Sequence, residues 1–294
     1  MKKFKLYTHI GWVKYAWESV NDSLHMEWDI KRCYYGDLHP PPGHDEKVFY
    51  TDSELVHALN HDCSTKIAFM LESRYITPGY YRFLEDNIDT FDTVLSHDEA
   101  LVNKYPGKCI FYPHGNCVIR QDDFSIYEKS RLVSFISSNK KMNVSGHHLR
   151  HAIYRFSTDE GGYWRELLPD QVHLDLFGSI AGHYIDYKLD SLRDYMFQIV
   201  VENSIVDTYF TEKIIDCFVS GTIPIYYGTR NVDRFFDPAG IIHFSTAEEL
   251  FQILGDLNAD AYHDRMEAVV TNFEQARQYI VAEDWIFENT NVFQ

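Results

Sequence analysis

Thr211-Glu212-Lys213 falls where a helix should begin, and each residue type suits that place for a chemical reason. Threonine is an effective N-cap because its hydroxyl accepts a bond from a free N–H of the first turn. Those N–H groups, with the partial positive charge of a helix start, suit phosphate. Lys213 beside such an end can stabilise a phosphate leaving group, and Glu212 can accept bonds from ribose hydroxyls. Upstream, Glu202-Asn203-Ser204 abruptly closes an apolar run. Glu202 and Asn203 suit either a ligand or the loop backbone. In the first third of the chain, Glu72 ends the apolar run Ile67–Leu71 and precedes Ser73-Arg74-Tyr75 and Pro78. A carboxylate fixed at a strand end can take a proton, with Asp52 and Asp98, near other strand ends, as alternatives. Arg74 can position that carboxylate or touch a ligand. His147 and His151 have the i, i+4 spacing of metal ligands on a helix face. No nearby cysteine or carboxylate completes a set, so no metal site is expected.

Elements of two kinds must hold these groups. Phe197–Val201 and Ile223–Tyr227 read as buried strands. Between them Ile214, Ile215, Phe218 and Val219 recur at helical spacing, and Gly221 suits the stop. Lys5–Thr8, Val48–Tyr50, Ile67–Leu71, Thr93–Ser96 and Lys108–Tyr112 are further short apolar runs, with helical stretches at Glu54–Leu59 and Tyr80–Glu85. This alternation predicts a parallel α/β sheet. His39-Pro40-Pro41-Pro42-Gly43 must be a loop. Pro113 to Glu128 reads as a linker. A second α/β domain then opens with the strand Arg131–Ile136. Tyr184–Lys188 has no clear reading. Ala247–Leu254 and Ala259–Val281 read as helices. The expected division is 1–120, 121–270 and a C-terminal helix, 271–294, packing back on the first domain.

The order Glu202-Asn203-Ser204, Asp207, Tyr209, Thr211-Glu212-Lys213, Gly221, Pro224, Gly228, Asn231 resembles glycosyltransferase family 10, the α1,3/1,4-fucosyltransferases. The resemblance covers about residues 129–246 well and is faint over 1–112. It implies the GT-B fold, with two Rossmann-like α/β domains facing across a cleft. It also implies a donor site built from Ser138, Asn139, Glu202, Asn203, Tyr209, Thr211 and Glu212. Arg150 stands in the place of the family's donor-binding arginine, and its planar fork suits two phosphate oxygens. With 21 tyrosines in the chain, Tyr209 can also be a packed aromatic. The resemblance places the general base in the first domain, which selects Glu72, with Arg150 and Lys213 neutralising the diphosphate. The reaction implied is an inverting, metal-independent transfer of fucose from GDP-fucose to a glycan hydroxyl. The same mechanism with another donor such as UDP-xylose, and an inactive relative that binds glycan or nucleotide, are the alternatives.

Composition narrows the class. A chain of 294 residues with 45% hydrophobic and 24% charged residues is globular. Its net charge of −17 argues against nucleic acid or an anionic membrane as partner. No run of about 18 apolar residues predicts a membrane span. The five cysteines form no C-x-x-C pair and read as reduced thiols. With no signal-peptide pattern, a cytoplasmic enzyme of a bacterium or virus-infected cell is expected. No Asp-x-Asp metal handle, G-x-G-x-x-G, Walker or G-x-S-x-G motif occurs. No bound cofactor is expected.

Overall fold

The computed structural model describes residues 2–8, 21–32, 42–158 and 173–294. Two compact units emerge. One comprises Met1–Asn116, Val206–Tyr209 and Val281–Gln294, and the other comprises Cys117–Ile205 and Phe210–Ile280. Each is built on a parallel sheet.

The first sheet contains β1 (Lys2–Thr8), β2 (Met26–Arg32), β3 (Lys47–Thr51), β4 (Thr65–Phe69), β5 (Thr93–Ser96) and β6 (Cys109–Phe111), in the order β2-β1-β3-β4-β5-β6. Every pair is parallel. Sheets of this kind are covered on both faces, which is why their strands read as short apolar runs without alternation. One face packs Val48, Tyr50, Ala68 and Val94 with Leu84 of helix α1 (Pro78–Asp86) and Leu101 of α2 (Glu99–Lys104). The other packs Phe49, Ile67, Phe69 and Leu95 against Ile286 and Phe293 of the chain's end. The return to this unit comes at Val281, because the expected helix 259–281 is broken. Two helices, Ala259–His263 and Met266–Ala276, stay with the second unit, and Ala282–Asn289 packs in the first.

The second sheet runs β11-β10-β9-β7-β8, again parallel, from β7 (Arg131–Ile136), β8 (Leu174–Phe177), β9 (Tyr195–Val201), β10 (Ile223–Tyr227) and β11 (Ile242–His243). Helix α3 (Ser145–Ser157) follows β7, and α4 (Glu212–Val219) joins β9 to β10. Gly221, at φ +67°, ends α4 in the left-handed conformation, and a Cβ there would stand 2.8 Å from the Ile126 Cα. The stretch 113–128 is no linker after Cys117. Cys117 and Ile119 are fully buried in the second core, and the Asp216 carboxylate of α4 accepts the Val118 N–H at 2.9 Å. Strands β2, β8 and β11 were not legible as apolar runs. Residues 39–41 of the proline loop lie outside the described residues. Among the described residues no helix is long and apolar enough to cross a membrane.

Candidate functional site

In the second unit the carboxyl ends of β7 and β9 and the N-termini of α3 and α4 converge. Glu202, directly after β9, is fully buried. Its carboxylate accepts the Thr211 N–H at 3.0 Å and the Thr211 hydroxyl at 2.9 Å. Lys213 Nζ lies 3.5 Å from Glu202 Oε2 and 3.1 Å from Glu212 Oε1. Thr211 is the N-cap of α4, accepting from Lys213 N, and it also takes a bond from Lys213 Nζ at 2.9 Å. Glu202 and Thr211 therefore have no surface to offer a donor, contrary to the sequence expectation. Their hydrogen bonds are spent inside the protein, fixing the start of α4 to the end of β9.

Glu212 and Lys213 keep part of their surface, with side chains 30% and 23% exposed. Burial alone would raise the Glu212 pKa. The Lys213 and Lys188 ammonium groups outweigh it and, with bonds from Lys213 and Thr211, hold the carboxyl down at about 2. Lys188 in turn bonds the fully buried Asp216 at 2.6 Å. Two lysines and three carboxylates thus form one chain along the first turns of α4. Asp216 and Lys188 had no motif to mark them; the apolar spacing of α4 hid a carboxylate inside its buried face.

Arg150 is buried on α3 rather than exposed. Its Nε and Nη2 both donate to the carbonyl of Val201, the last residue of β9, the Nε bond at 3.2 Å. Gly146, one turn earlier, donates to the Asn203 carbonyl at 3.1 Å. Asn203 is half-buried there, and Ser138 and Asn139 follow β7, where Asn139 N–H donates to Ser179 Oγ at 2.9 Å. Arg150, Glu202, Asn203, Thr211, Glu212 and Lys213 are thus brought together. Tyr209 falls in the first unit, its ring buried 4.6 Å from His97 and 5.6 Å from His114 between ring centres. His147 and His151 both face the Lys140 carbonyl, and among the described residues no cluster of three ligating side chains stands ready for a metal.

In the first unit the strand ends carry acids. Glu72 lies three residues beyond β4, half-buried. Asp52 follows β3, and its carboxylate accepts the N–H of Leu71 at 3.2 Å and of Glu72 at 3.4 Å. Asp98 is no candidate base. It is buried, caps α2 by accepting from Leu101 N at 3.1 Å, and is ion-paired to Arg74. That pairing, above all the hydrogen bond, raises the Arg74 pKa. A groove of about 510 Å³ opens beside Arg74, lined by Tyr75, Pro78, Tyr81, Arg82 and Glu85. Tyr75 stands 62% exposed in it. Sequence reasoning missed Asp52's bond to Glu72, and His97 and Tyr81 entirely, because their partners are main-chain atoms far away in sequence.

The α3–β9 junction makes a stability prediction. A Cβ at Gly146 would lie 1.8 Å from the Glu202 carbonyl oxygen, backbone that cannot swing aside. Alanine normally gains in a helix. Here the clash should win, and Gly146→Ala should lose about 1–3 kcal/mol, read from the urea midpoint. A midpoint at or above that of the unmodified protein would show the junction to be loose.

Comparison with known proteins places this architecture. The family model for glycosyltransferase family 10 (fucosyltransferase), C-terminal part, matches residues 126–279, about half of the chain. An α-(1,3)-fucosyltransferase of Helicobacter pylori is 30% identical over 181 residues, which are 58% of this chain and 34% of that protein. An α-(1,4)-fucosyltransferase of Arabidopsis thaliana is 32% identical over 80 residues, 26% of this chain and 20% of that one. The chain thus spans about a third and a fifth of the length of these two relatives. A crystal structure of an α1,3-fucosyltransferase superposes with a TM-score of 0.57 at 17% identity, over 100% of this chain and 92% of that one. The crystal structure of TarM gives 0.52 at 10% identity, over 85% of this chain and 55% of that one. These likenesses are of fold, and with the two parallel-sheet units they bear out the GT-B class. The matched stretch contains α3, β9, α4 and β10 whole, and on it the chain belongs to glycosyltransferase family 10, the fucosyltransferases.

Proposed function

We propose that the protein transfers fucose from GDP-fucose to a glycan hydroxyl, with inversion and without a metal ion. The observation that carries this reading is the α4 N-terminus. Lys213 is held there between two carboxylates, with the guanidinium of Arg150 fixed at the end of the adjoining strand. The helix dipole and Lys213 favour a diphosphate at that end. Glu212, kept ionised, accepts from ribose hydroxyls. The donor reading draws further support from the relatives: solved α1,3-fucosyltransferases whose folds match this one were determined with GDP and with GDP-fucose. Metal independence rests on the missing Asp-x-Asp and on these cations.

In the proposed step the acceptor oxygen forms a bond to the anomeric carbon as the bond from that carbon to the diphosphate oxygen breaks. GDP leaves with the electron pair, and the hydroxyl proton passes to Glu72. A positioned carboxylate typically contributes ~10²–10⁴-fold. Glu72→Gln should therefore bind GDP as before, judged by thermal shift, yet transfer at least ~10²-fold more slowly. Lys213→Ala should lose about 2–4 kcal/mol of transition-state stabilisation with its fold intact.

The decisive test is a thermal-shift comparison of GDP with UDP at equal concentration, with and without EDTA. Greater protection by GDP that survives EDTA is expected, since a ligand selective for the native state raises its stability. A preference for UDP would move the donor to a class such as UDP-xylose. Protection that needs added Mn²⁺ or Mg²⁺ would overturn the metal-free reading.

The groove beside Arg74 suits the acceptor. An exposed aromatic face packs on the C–H face of a sugar, and Arg82 and Glu85 supply hydroxyl partners. Mouse fucosyltransferase 9, 26% identical over 103 residues, is named for a 4-galactosyl-N-acetylglucosaminide acceptor, which supplies a probe. With that disaccharide, Tyr75→Ala should raise the acceptor KM about tenfold and leave GDP protection unchanged, an effect of about 1.4 kcal/mol. An unaltered KM removes the groove from the acceptor path.

A further inference from the structure

We propose that Asp52 is a positioning residue for Glu72: it fixes the Glu72 main chain at the end of β4. This rests on the reading of Glu72 as proton acceptor.

Beyond Met70, whose N–H still bonds the Leu95 carbonyl at 2.9 Å, the main chain leaves the sheet ladder, so its polar groups need other partners. Side chains supply them on every side. Asp52 takes the N–H groups of Leu71 and Glu72. Tyr81 OH donates to the Glu72 carbonyl at 3.0 Å, His97 Nε2 lies 2.9 Å from the Leu71 carbonyl, and Tyr112 OH donates to the Met70 carbonyl at 2.7 Å. His97 is fully buried, and burial pushes its pKa to about 3, so it is neutral and Nε2–H is the donor. Four side chains from four separate segments thus hold three consecutive residues. Asp52 does so from a φ of +31°, a conformation that residues other than glycine rarely adopt.

Asp52 is also the one of the four that changes charge near neutrality. Burial first, and then the Glu72 carboxylate, raise its pKa to about 7, against the bonds from Leu71 and Glu72 that lower it. Around this pair, among the described residues, stand neutral His97, Tyr81 and Tyr112, whose phenol pKa values burial raises well above normal, and the Arg74–Asp98 ion pair. The raised pKa of Asp52 carries a stability cost with a defined sign. The folded state holds this proton more tightly than the unfolded one. The stabilisation is complete below the ordinary aspartate range and is lost as pH rises through about 7.

The test is the pH profile of fucose transfer from GDP-fucose to a galactosyl-N-acetylglucosaminide, in the unmodified protein, Asp52→Asn and Glu72→Gln. Asparagine keeps one accepting oxygen and removes the charge. Its plateau rate should fall by roughly tenfold with the acceptor KM unchanged, short of the ~10²-fold or greater loss in Glu72→Gln. GDP protection should be unchanged. The urea midpoint of the unmodified protein should drop more between pH 5 and 8 than that of Asp52→Asn. A plateau unmoved in Asp52→Asn, with Glu72→Gln inactive, overturns this inference and leaves the base assignment standing. Full activity in Glu72→Gln overturns both. Loss in Asp52→Asn equal to that in Glu72→Gln, with GDP protection retained, makes Asp52 the base itself. If Asp52→Asn does not fold, Asp52→Glu decides: a lowered plateau with GDP protection retained supports the positioning role, and an unchanged plateau contradicts it.

Discussion

A single buried carboxylate organises the second unit. Glu202 sits at the last step of β9, out of water, where an ionised acid is tolerated only if its oxygens are taken up. Thr211 N–H, Thr211 Oγ1 and Lys213 Nζ take them up. The consequence is geometric. The loop between β9 and α4 must return to within hydrogen-bonding distance of its own beginning, so the first turn of α4 is held against the sheet end. Lys213 is fixed by the same charge, and Glu212 follows because it shares Lys213. A ligand arriving there meets groups already placed, and little ordering remains to be done on binding.

The first unit solves the same problem without a buried cation. Its strand-end acid, Glu72, is held by Asp52, Tyr81 and their neighbours acting on main-chain atoms. Arg74, two residues on, is the nearest cation along the chain, and Asp98 already neutralises it.

Much of this was legible in the amino-acid order, for definite physical reasons. Buried parallel strands need unbroken apolar runs, so β5, β7 and β10 were read to the residue. Helix α4 declared itself through Thr211, its apolar spacing and Gly221. Where the signal was weak, the reading failed. β2 carries Glu27, Asp29 and Lys31 at the sheet's edge, and β8 and β11 are short edge strands of the second sheet. Site residues divide in the same way. Glu212, Lys213 and Arg150 could be named as candidates because their chemistry is local to a motif. Glu202 and Thr211 could be named too, but a motif does not show whether residues face a ligand or, as these two do, each other. Tyr209 is buried beside His97 and His114, the packed aromatic that the tyrosine count also allowed. Asp52, His97 and Asp216 act through partners between 19 and 99 residues distant, a separation that no local pattern reveals.

The central claim is that a guanosine diphosphate seats on the strand ends of the second unit, at the start of α4. Amide hydrogen exchange with and without GDP tests it most directly. Slower exchange confined to peptides spanning 137–150 and 202–213 is expected, because those N–H groups line the end of β7, the start of α3 and the first turn of α4. Unchanged exchange in both peptides at saturating GDP, or slowing only at the strand ends of the first unit, would contradict it.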